Sequence, residues 1–245
     1  MSNYRISYPD EKDTKGLYFL HPKMFNKKLK LVELWRKYFI GDLNNYESSF
    51  PVLVPRSVLE KSGHISAFKD ELFKTQELEL YLRPETAQGI FPVIKTLLLE
   101  LKATGPEGSW GIGQVGSAFR LEKSTRDGAF RKREFEQLEL EIIHKPETVD
   151  RLLTLYKETL QKFLLAIGVS YDLVQQTDTN KPHYSKLTLD AIHKTKEGKE
   201  WEIGSISLRT NHDLKPYLSD NLANCYHVLE VSLGLDRLLD LATKI

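Results

Sequence analysis

The sequence contains little cysteine and no long apolar run, and each absence excludes a class of protein. Cys225 is the only cysteine among 245 residues, so the chain can form neither an internal disulfide nor a zinc site built on several cysteines. Such low cysteine use is typical of a reducing compartment. The apolar run at 96–101 is far shorter than the roughly 18 residues that a membrane span needs. The polar N-terminus also lacks the apolar segment of a signal peptide. We therefore expect a cytoplasmic protein that makes no membrane contact.

The sequence also lacks an excess of charge of either sign. Its 35 lysines and arginines face 34 aspartates and glutamates, which leaves a net charge of +1. This balance argues against a protein that holds nucleic acid mainly by bulk electrostatic attraction, although it permits a local basic patch. A hydrophobic content of 40% is enough for one core at this length. Because no change in composition marks a linker, we expect one domain over residues 1–245.

Apolar periodicity predicts a few helices and many strands. Helical spacing predicts helices over 23–40 and 147–167, a third that begins at Pro84 and is disturbed by Pro92, and a last one from Gly234 onward. Strands are predicted at 49–54, 79–83, 112–122, 133–143, 184–193, 201–209 and 226–231. Because these strands follow one another without regular helical crossovers, we expect an α+β fold, a mostly antiparallel sheet flanked by helices.

Two of the predicted strands carry an unusual polar face. Side chains alternate along a strand, so one face of 112–122 carries Gln114, Ala118, Arg120 and Glu122. In 131–142 the face opposite the apolar one carries Arg131, Arg133, Phe135, Gln137, Glu139 and Glu141. One interpretation is a solvated face with cross-strand ion pairs, each worth ~0.2–1 kcal/mol. The other is a nucleotide site, in which arginines bind phosphate oxygens and the aromatic ring stacks on a base.

Four segments resemble the sequence motifs of one enzyme family. FRLEKSTRDGAFRKREFEQLELEI at 119–142 resembles motif 2 of the class II aminoacyl-tRNA synthetases, and LRPETAQGIF at 82–91 resembles a signature of glycyl-tRNA synthetases. SFPVLVPRSVLEKSGHISAF at 49–68 is similar to motif 1 and the residues after it, and HVLEVSLGLDRLL at 227–239 is similar to motif 3. HYSKLTLDA and WEIGSISLRTNHDL match the family's intervening strands more weakly. The segments occur in the family's order along the chain.

The resemblance implies a role for individual residues. It implies two catalytic arginines, Arg120 and Arg237. The implied ATP contacts are Arg120 to the α-phosphate, Glu122 to the adenine amino group, Phe135 to the adenine ring, Arg237 to the other face of that ring and the γ-phosphate, and Arg131 to the γ-phosphate. The amino acid would contact Glu85, Glu230 and Ser232 through its ammonium group, with Arg209 lining the pocket. Magnesium would lie on the phosphates, with Glu202 as a protein ligand.

The function that the resemblance implies is ATP-dependent activation of an amino acid. The signature at 82–91 implies that this amino acid is glycine. No general base is needed, because the attacking carboxylate is ionised at pH 7. Catalysis then depends on in-line positioning and on neutralising the charge that develops. The family also implies a class II fold and a homodimer built on motif 1. His64 matches the family string within 49–68, and we assign it no chemistry.

Three hypotheses about the whole function remain open. The chain ends eight residues after Arg237, where glycyl-tRNA synthetases of this type continue into an anticodon-binding domain, so we expect the catalytic domain alone. It could be a minimal synthetase that recognises the tRNA acceptor stem, a paralogue that passes the amino acid to a carrier protein, an amine or a protein side chain, or a non-catalytic binding module. The candidate tRNA contacts are Lys123, Arg126, Arg131 and Lys132, with Lys27, Lys28 and Lys30.

Overall fold

A seven-stranded sheet forms the centre of the molecule. The computed structural model describes residues 5–7, 17–121 and 131–245. Its strands are β1 Arg5–Ser7, β2 Tyr18–Leu20, β3 Tyr46–Glu47, β4 Leu53–Pro55, β5 Leu80–Leu82, β6 Trp110–Phe119, β7 Glu134–His144, β8 Asp172–Gln175, β9 Leu187–Lys194, β10 Glu200–Thr210 and β11 His227–Gly234. The large sheet has the order β3-β6-β7-β11-β10-β9-β8, and its neighbours are antiparallel except β3 and β6. The expectation of a mostly antiparallel sheet is confirmed.

Helices cover the sheet and enclose the main core. They are α1 Pro22–Trp35, which continues as a π-helix over Arg36–Gly41, α2 Arg56–Lys61, α3 His64–Phe68, α4 Ile94–Glu100, α5 Val149–Ile167, α6 Asp220–Ala223 and α7 Leu235–Leu241. Trp35 of α1 and Tyr156 of α5 are buried with Leu138, Leu140 and Ile142 of β7. The core thus lies on the apolar face that alternation predicts for this strand. Within the described ranges, no helix combines the length and apolar character needed to cross a membrane.

The helix predicted from Pro84 is wrong in its first half. Only short 3-10 turns, Ala87–Gly89 and Phe91–Val93, precede α4. Pro92 has no N–H to donate and disfavours helical geometry in the residue before it. The amides of Glu85 and Thr86 instead donate to the side-chain oxygens of Gln88 and Gln137, each at 3.1 Å. This irregular segment presents the Glu85 carboxylate to the face of the sheet opposite the core.

The strand predicted at 49–54 is shorter and later than expected, because β4 begins at Leu53. The carbonyl oxygens of Phe50 and Pro51 accept hydrogen bonds from Arg83 Nη1, at 3.1 and 3.5 Å, rather than from a neighbouring strand. Four further strands were not expected from the sequence, namely β1, β2, β3 and β8, which have only two to four residues each. Strands this short cannot show a two-residue period.

Candidate active site

Sheet register collects polar residues that are distant in sequence. One row across β6, β7, β11, β10 and β9 contains Gln114, Glu139, Ser232, Ser205 and Asp190. The next row contains Ile112, Glu141, Glu230, Ser207 and Thr188. Because side chains on paired positions share a face, both rows lie on one face of the sheet. The core and the helices α1 and α5 lie on the other face. Apart from Ile112, the two rows form a polar floor.

A cleft with a volume of about 290 Å³ opens over this floor. Its lining includes the predicted site residues Glu85, Arg120, Arg131, Phe135, Glu202, Glu230, Ser232 and Arg237. Glu122 lies outside the described residues. Arg209 is not among the lining residues, since its side chain is buried. The strands and loops named by the motifs therefore meet at one cavity.

Arg120 is held in a fixed orientation inside the cleft. Its Nη2 donates to Glu85 Oε1 at 2.9 Å and its Nε donates to the Pro84 carbonyl at 3.0 Å. The guanidinium carbon lies 4.7 Å from the centre of the Phe68 ring and 5.2 Å from that of Phe135. About 25% of the side chain stays exposed. A guanidinium fixed by two hydrogen bonds and two rings is preorganised to bind an anion.

Glu85 is an ionised carboxylate in a buried setting. Its Oε2 lies 3.0 Å from His64 Nε2, 3.3 Å from Gln88 Nε2 and 3.4 Å from the Tyr184 hydroxyl. Burial works to raise the pKa of Glu85, but the hydrogen bond from His64 and the charges of His64 and Arg120 hold this pKa well below its usual range. Burial raises the pKa of the Tyr184 hydroxyl, so this group remains a donor.

Three further carboxylates form the deepest part of the site. Oxygens of Glu139, Glu141 and Glu230 lie within 4.8 Å of one another. Glu139 Oε2 accepts hydrogen bonds from Ser232 Oγ at 2.9 Å and Thr86 Oγ1 at 3.0 Å. Burial, with a contribution from the charge of Glu85, raises the pKa of Glu139 to about 7. Burial also raises the pKa of Glu141, whose Oε2 has no hydrogen-bond partner. A cation bound next to these carboxylates would stabilise their ionised forms.

The Arg209 side chain contacts two of these carboxylates, those of Glu141 and Glu230. It donates to Asp213 at 2.6 Å and to Glu141 at 3.4 Å, and it forms an ion pair with Glu230. Its guanidinium carbon lies 3.8 Å from the centre of the Tyr184 ring. Arg209 therefore orients Glu230 and Tyr184, which do line the cleft, rather than lining it directly.

The opposite end of the cleft combines carboxylates with arginines. Burial and then the charge of Glu202 raise the pKa of Asp190 to about 6, and the Gln176 amide donates to Asp190. Arg237 Nη1 donates to the Glu202 carbonyl at 2.6 Å, and Arg131 lies exposed at the rim. Arginines at this end could bind the phosphate oxygens of a polyphosphate, and the carboxylate oxygens could bind a divalent cation carried by it.

Several site residues were missed by the sequence analysis. Glu139 was placed on the polar face without a role, and Tyr184 and Asp190 fell in a weakly matching segment. For Asp190, the period-two pattern of 184–193 was the available signal, since it puts this residue on one face with Thr188. His64 was identified but given no function. Each of these residues depends on a partner that is distant in sequence.

Three lysines suggested as tRNA contacts are engaged within the molecule. Lys132 forms a buried ion pair with Asp236. Lys28 pairs with Glu136 at 2.5 Å, and Lys27 Nζ donates to two carbonyl oxygens at the end of α7, those of Leu239 and Ala242. An RNA phosphate would have to compete with these bonds.

A family profile and several known proteins match this chain in sequence. The family profile described as the tRNA synthetase class II core domain (G, H, P, S and T) matches residues 68–245. The glycine–tRNA ligase of Clostridium acetobutylicum is 37% identical over 175 residues, which cover 65% of this chain and 37% of that protein. The glycine–tRNA ligase of Ureaplasma urealyticum is 33% identical over 219 residues, which cover 82% and 46%. The chain thus spans less than half the length of these relatives.

A solved structure shows the same fold at lower identity. Giardia lamblia prolyl-tRNA synthetase, in complex with prolyl-adenylate, aligns with a TM-score of 0.74 at 18% identity, over 94% of this chain and 48% of that one. The overall fold thus matches that of a solved synthetase, and the family profile covers most of the chain. This chain belongs to the class II aminoacyl-tRNA synthetase core-domain family.

Proposed function

We propose that this chain activates glycine with ATP, forming glycyl adenylate and pyrophosphate. The observation that carries the proposal is the position of Arg120. It lies in one cleft between a buried group of carboxylates and an end that contains Phe135, Arg131 and Arg237. An amino acid and ATP bound at these two ends would bring a carboxylate and an α-phosphate to the same guanidinium.

The carboxylate end suits a small ammonium compound. Glu85, Glu139 and Glu230, with the Ser232 hydroxyl, would surround the substrate ammonium, and that cation would stabilise the ionised form of Glu139. The apolar residues of the cleft lining are Phe135, Pro182, Tyr184 and Ile203, so few apolar contacts are available to a larger side chain. An aliphatic side chain placed among these buried carboxylates would displace water from the carboxylates and could not form hydrogen bonds with them. Glycine has no side chain and avoids this cost. The two proteins compared above by sequence identity are both glycine–tRNA ligases.

The reaction follows from these positions. An oxygen of the glycine carboxylate attacks the α-phosphorus, the new C–O–P bond forms, and the bond between the α-phosphorus and the bridging oxygen breaks to release pyrophosphate. Arg120 would neutralise charge on the α-phosphate while Arg131 and Arg237 hold the leaving group. Phe135 would stack on the adenine, and Glu122 would accept from its amino group. Asp190 and Glu202 offer the oxygen ligands that Mg²⁺ prefers, and the ion would supply further charge neutralisation on the phosphates.

The acceptor of the activated glycine defines two candidate functions. Transfer to tRNA is the first proposal, because glycine–tRNA ligases are the relatives. Transfer to a carrier protein, an amine or a protein side chain is the second, and the engagement of Lys27, Lys28 and Lys132 favours it. A non-catalytic binding module is disfavoured, because Arg120, Phe135 and Arg237 all line one cleft.

Amino-acid-dependent exchange of labelled pyrophosphate into ATP tests this proposal. Each of the twenty amino acids is offered separately, and we expect exchange with glycine above the others. Exchange with another amino acid alone would keep the mechanism and refute the substrate. No exchange with any amino acid by the folded protein would favour the binding module.

A further inference from the structure

His64 is the first residue of α3 and lies wholly inside the protein. Gly63, which precedes it, has a φ of 77°, a backbone conformation that glycine adopts without steric cost. The imidazole lies nearly parallel to two aromatic rings, with centroid distances of 5.5 Å to Phe68 and 5.8 Å to Tyr184. Two histidine nitrogens inside such a packed setting need partners.

Both nitrogens of His64 have partners. Nδ1 lies 2.8 Å from Ser62 Oγ, and Nε2 lies 3.0 Å from Glu85 Oε2. An ionised carboxylate only accepts hydrogen bonds, so we assign a proton to Nε2. Ser62 Oγ either donates to Nδ1 or accepts from it while donating to the Val58 carbonyl at 3.0 Å. In both arrangements Nε2–H donates to Glu85.

Gln88 completes the support of Glu85. Its Nε2 lies 2.9 Å from His64 Nε2 and 3.3 Å from Glu85 Oε2. Because Nε2 of His64 carries the proton, the Gln88 amide donates to Glu85. Oε2 therefore receives donors from the protein interior, whereas Oε1 faces Arg120. The carboxylate plane is fixed by groups on the side away from the guanidinium.

We propose that His64 is a positioning residue, which holds the Glu85 carboxylate through Nε2–H so that its Oε1 edge can bind the substrate ammonium beside Arg120. This inference rests on the proposed function, since it assigns the ammonium to Glu85. His64 does not line the cleft, and it acts on the substrate only through Glu85. Loss of the donor would let the carboxylate rotate and would weaken binding of the amino acid more than binding of ATP.

Two substitutions separate hydrogen bonding from packing. His64→Phe keeps an aromatic ring beside Phe68 and Tyr184 but has no donor, whereas His64→Gln loses the ring and keeps an N–H near the position of Nε2. We expect His64→Phe to raise KM for glycine in pyrophosphate exchange by between about tenfold and about a hundredfold, the value of a hydrogen bond to a charged group. KM for ATP should change by less than about threefold, since the proposal assigns Glu85 to the ammonium group and not to ATP. His64→Gln should recover most of the loss.

The control is His144→Phe, which changes another fully buried histidine outside the cleft. It should leave both KM values unchanged. A normal glycine KM in folded His64→Phe, or equal losses in His64→Phe and His64→Gln, would overturn the positioning role. Absence of exchange by the wild-type protein would instead overturn the proposed function, together with the ammonium assignment.

Nitrogen NMR of histidine-labelled protein tests the hydrogen bond without any activity. We expect a protonated His64 Nε2 in the wild type and a clear change of its resonance in Glu85→Gln. The resonance of His144, whose Nδ1 pairs with the Lys145 carbonyl at 2.8 Å, should not move. A His64 Nε2 that is unprotonated, or that does not respond to Glu85→Gln, would refute the contact on which the inference depends.

Discussion

Lys132 and Asp236 form an ion pair that joins the start of β7 to the first turn of α7, with 7% and 10% of the two side chains exposed. Asp236 also accepts from the Glu136 amide at 2.8 Å. Arg131 and Arg237, proposed to bind the phosphates, are the immediate chain neighbours of this pair. The ion pair therefore holds together the two chain segments that carry these arginines.

We predict that Lys132→Met destabilises the protein by about 3–5 kcal/mol, because it removes the positive charge that faces the buried Asp236 carboxylate. Urea unfolding measures this change. The double variant Lys132→Met with Asp236→Leu should recover part of the loss. The control is Arg151→Met at the exposed pair with Glu107, whose side chains are 65% and 36% exposed, where the expected loss is below about 1 kcal/mol. Equal losses at the two sites would contradict the prediction.

The second prediction concerns Arg120. Arg120→Ala should reduce glycine-dependent exchange by about 10²–10³-fold, in line with removal of one donor that stabilises developing charge. Arg120→Lys should recover little, because a lysine cannot reproduce a planar guanidinium held between Phe68 and Phe135. Circular dichroism should show an intact fold, since the side chain is partly exposed. Near-normal exchange by a folded Arg120→Ala would refute the role.

Local pattern predicted one part of this architecture well. Alternation along 131–142 separates Leu138 and Leu140 from Glu139 and Glu141, and the structure buries the two sets on opposite faces. This succeeds because side-chain direction along a strand is a local property. The helix expected from Pro84 failed because a proline and distant side chains determine the backbone there.

The environment of the site could not be predicted from local pattern. Motif residues such as Arg120 and Arg237 were identified by resemblance, but the positions of Arg209 and Lys132 depend on pairing with Glu141 and Asp236. A buried charged residue contacts the carboxylates of the floor, whereas a residue that lines the cleft can contact the ligand. Which of these applies depends on packing between distant segments. Sequence patterning carries no information on these long-range contacts.

The third prediction is a pH dependence due to Glu139. Its pKa of about 7 in the folded protein exceeds the unfolded value of about 4.3. The folded state therefore binds the proton more tightly. The stabilising contribution of protonated Glu139 is complete below the unfolded pKa and is lost progressively as pH rises from about 4.3 to about 7. Glu139→Gln should match the wild-type melting temperature near pH 4 and exceed it near pH 8. Exposed Glu147→Gln serves as the control, and a pH-independent difference would count against the assignment.

The fourth prediction is a homodimer. Val52 and Leu53 are 39% and 43% exposed within the segment that resembles motif 1, and β4 lies in a small two-stranded sheet. Exposed apolar strands favour association with another chain. Sedimentation velocity at micromolar concentration should show a dimer, and Leu53→Glu should dissociate it. Leu165→Glu on α5, at another exposed leucine, should not. A monomeric wild type would refute the prediction.

The last prediction concerns the acceptor. If the acceptor is tRNA, only part of the suggested basic surface is available to bind it, because Lys27, Lys28 and Lys132 are engaged in the protein. Lys123 and Arg126 lie outside the described residues, while Lys30 is exposed on α1. Binding should be weak and should weaken further as salt rises. Because the candidate contacts all lie on the catalytic domain, a glycine tRNA, its acceptor minihelix and an anticodon-swapped tRNA should be charged equally at low salt.

Lys30→Gln should raise KM for these RNAs while leaving glycine-dependent exchange unchanged, since Lys30 does not line the cleft. Exposed Lys162→Gln on α5 should change neither. Charging that depends on the anticodon would reveal a recognition element beyond these lysines. Rapid exchange without charging of any RNA would refute tRNA as the acceptor and favour the second candidate, since adenylate formation requires only the cleft, whereas transfer requires a surface that binds the acceptor.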